Sequence, residues 1–223
     1  MFHDSSIRHC MLIVLVALTC TLSGCCPTTA LHPLSDPGNP AFDERLSGAW
    51  LLSDDNGRTY LHIGKGEGRF TEIRFVEHRS DGSLDTGAFI AFPSFIDGDS
   101  FLNITSAVQA EESFVGYVFV MYGFIDSNRL TLAIWDEQAI ENAIRNGLLK
   151  GEITDQRNGG QGRESKVKVH CVRVTDDSGS LVRFIRSFGK EKLFNKHLGT
   201  FERISGKGVP RQGVPPETAD QPR

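Results

Sequence analysis

Tyr117-Val-Phe-Val-Met-Tyr-Gly-Phe124 is followed, after Ile125, by Asp126-Ser-Asn128 and then by Arg129-Leu-Thr-Leu-Ala-Ile-Trp135. Side chains alternate across a β-strand. Tyr117, Phe119, Met121 and Gly123 therefore share one face, and Val118, Val120, Tyr122 and Phe124 the other. Both faces are apolar, so a strand over Phe114–Phe124 lies in the middle of a sheet. Asp-Ser-Asn is turn chemistry, and it makes the pair a hairpin.

The same grammar extends toward the N-terminus. Short apolar or alternating runs at Leu46–Leu52, Thr59–Ile63, Phe70–His78, Gly87–Phe92 and Phe101–Thr105 read as strands. Between them stand Asp54-Asp-Asn-Gly57, Gly64-Lys-Gly-Glu-Gly68, Ser80-Asp-Gly82 and Asp97-Gly98, all turn formers. The period then changes. Asp136 to Gly147 places Ala139 and Ala143, and Ile140 and Ile144, four apart behind an Asp cap, which predicts a helix. Ser165–Thr175 alternates as a strand, Leu181–Phe188 reads as a short second helix, and Thr200–Ile204 as a last strand. Successive hairpins without βαβ alternation predict a mainly β fold, an antiparallel up-and-down barrel or curved meander sheet. One or two helices fall in its C-terminal half.

The 223 residues carry a formal charge of -4 and no basic stripe, which excludes a general attraction to nucleic acid. Fifteen Phe against three Tyr and two Trp require buried rings without polar handles. Of the five cysteines, Cys10, Cys20, Cys25 and Cys26 crowd the N-terminus. That rules out a disulfide framework and a four-cysteine zinc site. Cys171 reads as a small buried apolar residue, with a Cys26–Cys171 bridge open to it in an oxidising compartment.

Arg8, the apolar run Met11–Leu18 and the small residues Ser23 and Gly24 form the three parts of a secretory signal. The run is too short for a spanning helix. Its end, Leu22-Ser23-Gly24-Cys25, resembles the lipobox of bacterial lipoproteins. The resemblance implies cleavage of residues 1–24 and lipidation of Cys25. It further implies that Cys26, not being Asp, directs the chain to the outer membrane, facing the periplasm. Several acyl chains hold a protein stably on a bilayer where one holds it marginally. Residues 25–42, with Pro27, Pro33, Pro37 and Pro40, read as a tether, residues 43–205 as the folded domain, and residues 206–223 as a disordered tail.

Gly48-Ala-Trp50 resembles the G-x-W signature of the lipocalins and their relatives. The resemblance implies that Trp50 plugs one end of a barrel and that a late arginine, for which Arg203 is the candidate, packs across it. The Gly64–Gly68 stretch is read as a hairpin turn, because a phosphate loop needs a helix directly after it. His62, His78, His170 and His197 lack metal-ligand spacing, and Asp97-Gly-Asp99 reads as solvated turn chemistry. His170 and Cys171 are neighbours in a strand and face opposite ways, so they form no catalytic pair.

No cofactor, metal or catalytic set is expected, and the chain reads as a non-enzyme. The aromatic residues Phe89, Phe92, Phe95, Phe101, Tyr117 and Phe119 are candidates to line a ligand cavity, with plain core as the competing reading. The expected function is that of a membrane-anchored envelope lipoprotein binding a small apolar ligand or an envelope protein partner. A structural or assembly role without ligand is the alternative, and an envelope hydrolase comes third.

Overall fold

A computed structural model describes residues 27–38, 40–106, 116–157 and 168–204. The predicted signal, Cys25, Cys26 and the tail lie outside the described residues. In chain order the strands are β1 (Thr29–Ala30), β2 (Gly48–Asp54), β3 (Gly57–Lys65), β4 (Thr71–Arg79), β5 (Leu84–Ile96) and β6 (Asp99–Ser106). They continue with β7 (Val118–Asp126), β8 (Arg129–Ile134), β9 (Gly151–Arg157), β10 (Lys168–Val174) and β11 (Lys196–Arg203). Helices α1 (Glu137–Arg145), α2 (Ser178–Phe188) and α3 (Lys190–Leu193) fall in the second half.

Strands β2 to β8 and β11 close into an antiparallel barrel, in the order β11-β2-β3-β4-β5-β6-β7-β8. The turns follow from their residues. Between β5 and β6, Asp97 and Gly98 have φ 52° and 87°, the paired positive values of the two-residue turn that suits the twist of a hairpin. The Gly64–Gly68 stretch is a hairpin connection too, but a longer one, Gly66–Phe70, closed by the Gly66 N–H donating to the Phe70 carbonyl at 2.8 Å. Gly87 lies directly opposite Phe75. A Cβ there would fall 2.2 Å from the Phe75 ring, so only glycine leaves room for it.

Strand β7 is buried on both sides, and the reason is a second layer outside the barrel. Val118, Val120 and Tyr122 belong to the inner row, whereas Phe119 packs outward, edge-on against Trp135 with centroids 4.7 Å apart. Phe101 likewise points out, with its centroid 5.2 Å from that of Phe194 just after α3. Helices α2 and α3 are each tied to the β5–β6 turn by one ion pair. Arg186 meets Asp97 at 2.8 Å, and Lys190 of α3 meets Asp99 at 2.5 Å. Both carboxylates of Asp97-Gly-Asp99 are thus matched by cations. Helix α1 starts at the expected cap, Asp136 accepting from Gln138 and Ala139. It covers a separate three-stranded sheet in the order β1-β10-β9, burying Val172 and Val174 with Ile140 and Ala143.

Three expectations are corrected. Strand β9 joins that sheet from a polar stretch the sequence left unassigned. The segment read as tether is instead laid on the body from residue 27. Thr29 and Ala30 pair in parallel with Arg173 and Val174, Leu34 is buried, and its N–H donates to the Asn103 side chain at 2.7 Å. Burial of this polar backbone succeeds because the strap finds partners all along its path. Lastly, Cys171 is half-buried and disulfide-bonded, not a buried apolar thiol.

Candidate functional site

One end of the barrel is sealed by its own sequence. Trp50 is fully buried, and its indole N–H donates to the Leu46 carbonyl at 2.8 Å. The Arg203 guanidinium lies over the ring at 4.1 Å from the centroid. It also donates to the carbonyls of Ser47 at 2.5 Å, Arg45 at 2.7 Å and Ser127 at 3.0 Å. A planar fork is suited to binding a ring face and several carbonyls together. Gly48 makes room for it. Its φ is +137°, and a Cβ would come 2.7 Å from Arg203 Nη1. The packing of Arg203 on Trp50 is the one implied by the G-x-W resemblance.

Beside this plug, the Tyr122 hydroxyl donates to Asp43 at 3.0 Å, and Arg45 grips the same carboxylate. Burial alone would raise the Asp43 pKa; hydrogen bonds from Arg45 and Tyr122 outweigh it and hold the group below its ordinary value. Tyr122 is pushed above its ordinary value by burial and by the Asp43 charge.

Beyond the plug lies a void whose walls are Leu61, Ile63, Ile73, Phe89, Leu102, Ile104, Val118, Val120, Leu132, Ile134 and Leu198. Every one of these side chains is apolar. The enclosed space is about 40 Å³. The inner row of β4 flanks the void with Thr71, Ile73, Phe75 and Glu77, all buried. Thr71 Oγ1 has no hydrogen-bond partner there, and Glu77 is paired with Arg79 at 3.2 Å.

Of the six aromatic candidates, Phe89 alone is in this wall. Phe92, Phe101 and Phe119 are buried on the outer face of the barrel, under the strap and the helices. Tyr117 meets Phe92 edge-on there, with centroids 6.1 Å apart. Phe95 is 56% exposed. The lining that the sequence reading missed is aliphatic. Its signal is the alternation Leu61/Ile63, Leu102/Ile104, Val118/Val120 and Leu132/Ile134, whose inward sense only closure of the barrel reveals.

Among the described residues no three His, Cys, Asp or Glu side chains come together as a metal site. His170 Nε2 lies 3.1 Å from Glu141 of α1, and His78 packs its ring against Tyr60. Also among the described residues, no helix is long and apolar enough to cross a membrane. A scan against protein-family models and searches of curated proteins and of solved structures each return no match to this chain.

Proposed function

We propose that this chain is a non-catalytic, lipid-anchored module of a bacterial cell envelope that accepts a small apolar group inside its barrel. The observation that carries the binding part is the void itself, walled by aliphatic side chains and Phe89, with Trp50 sealing one end. Apolar surface left facing such a space gains from any apolar group that displaces water or fills emptiness. The anchoring part rests on the signal-like leader and the tetrapeptide ending at Cys25. The disulfide at Cys171 agrees with export, since such bonds persist in oxidising compartments. By the same resemblance, the site of action is the periplasmic face of the outer membrane.

A second reading has its own observation. An enclosed volume of about 40 Å³ is well below the roughly 300–1,000 Å³ of ordinary ligand pockets. A barrel that stays this full serves as a rigid body for docking to an envelope partner, an assembly role without ligand.

The two separate by calorimetry on protein exported without its lipid. Binding predicts that fatty acids of some chain length raise the melting temperature saturably, and that Val120→Phe, which fills the void, abolishes the rise. Absence of a shift at every chain length would contradict binding and leave the assembly role. That role in turn predicts that crosslinking on intact cells captures an envelope protein.

A further inference from the structure

Cys171 lies in β10, along which β1 runs parallel with Thr29 opposite Arg173 and Ala30 opposite Val174. Parallel strands advance together, so Thr28 and Pro27, which precede β1, lead back along β10 toward Cys171. Among the described residues Cys171 is the only cysteine, so its partner is one of Cys10, Cys20, Cys25 and Cys26.

We infer that the disulfide partner of Cys171 is Cys26, the neighbour of the lipid acceptor. The inference deepens the lipoprotein reading and rests on it for its consequence. In that reading the alternatives are spent. Cys10 and Cys20 leave with the leader, and the Cys25 sulfur is held as a thioether. The bridge forms when the two thiols lose two protons and two electrons to a disulfide donor of the export compartment, which is reduced to its dithiol.

The strap is then held covalently at its start and by the Leu31 and Leu34 N–H groups further along, which donate to the Val174 carbonyl and the Asn103 side chain. The lipid hangs from a residue adjacent to that covalent clamp. The body is therefore fixed in orientation against the membrane, where a free tether would let it swing.

The test is a non-reducing tryptic map of the mature protein taken from membranes. The bridge predicts a linked pair joining the peptide that ends at Arg45 to Val169–Arg173, separated by dithiothreitol. It also predicts no alkylatable thiol in the native chain, and one new thiol in each of Cys26→Ser and Cys171→Ser. A lipidated Cys25 with a free Cys171, or a link between two copies through Cys171, would overturn the bridge alone. A Cys26–Cys171 link beside an unmodified Cys25 would uphold the bridge and overturn the lipoprotein reading.

Discussion

Arg203 lies with its guanidinium 4.1 Å above the Trp50 ring while donating to the carbonyls of Ser47, Arg45 and Ser127. Residues far apart in sequence thereby close one end of the barrel, joining its last strand to the approach to its first. Cation–π contact at a partly exposed site contributes about 0.5–1 kcal/mol, and charge-assisted hydrogen bonds add to it. Arg203→Ala is expected to destabilise the fold by about 2 kcal/mol in urea unfolding. Arg203→Lys should recover less than half of that, because an ammonium cannot reproduce the fork. Full recovery by lysine would show that charge alone matters.

Gly87 is held by the Phe75 ring across the β4–β5 pair. Gly87→Ala should cost about 1–3 kcal/mol by overpacking. Phe75→Leu in the same chain should relieve part of the loss, a coupling that a double-mutant cycle measures. Simple additivity would place the cost in the backbone and not in the ring contact.

Thr71 keeps a buried hydroxyl without a partner. Removing an unsatisfied polar atom at constant shape is favourable, so Thr71→Val is expected to raise stability by about 1 kcal/mol. A loss of stability of that size would mean that the hydroxyl is satisfied in solution.

The Tyr122–Asp43 pair makes stability depend on pH at both extremes. Asp43 titrates lower folded than unfolded, so its contribution is present above the unfolded value and disappears as pH falls through the depressed folded value. Tyr122 titrates higher folded than its unfolded value of 10.0. Its contribution is complete below that value and is lost as pH rises through the elevated one. The urea midpoint of the native chain should therefore fall above about pH 10 more steeply than that of Tyr122→Phe. Parallel curves would remove Tyr122 from the account.

How much of this was legible depended on how many residues each signal spans. Each of the eight barrel strands carries an apolar or alternating run of five residues or more, and its place follows from that run, though not its ends: β5 runs on to Ile96 and β11 starts at Lys196. Strand β1 is only Thr29 and Ala30, too short for any period, and the prolines on either side of it suggested a tether. Strand β9, Gly-Glu-Ile-Thr-Asp-Gln-Arg, has one large apolar residue, Ile153, and exists because β10 offers it an edge.

The ring-rich reading of the interior failed for a geometric reason. Alternation divides a strand into two faces without saying which is inward. The strap and helices bury the outside of β5 to β8 as well. Phe92, Phe101 and Phe119 fill that outer layer, and the aliphatic set took the inside. The Trp50 plug could be anticipated because Gly48, Trp50 and Arg203 each have a distinct chemical requirement.

The claim on which the rest depends is attachment through Cys25, and the intact mass of protein extracted by detergent from native membranes tests it most directly. The account predicts a chain beginning at residue 25 and heavier than its sequence by a diacylglyceryl group, with or without a further acyl chain. A mass equal to that of an unmodified chain, starting at any residue, would contradict it.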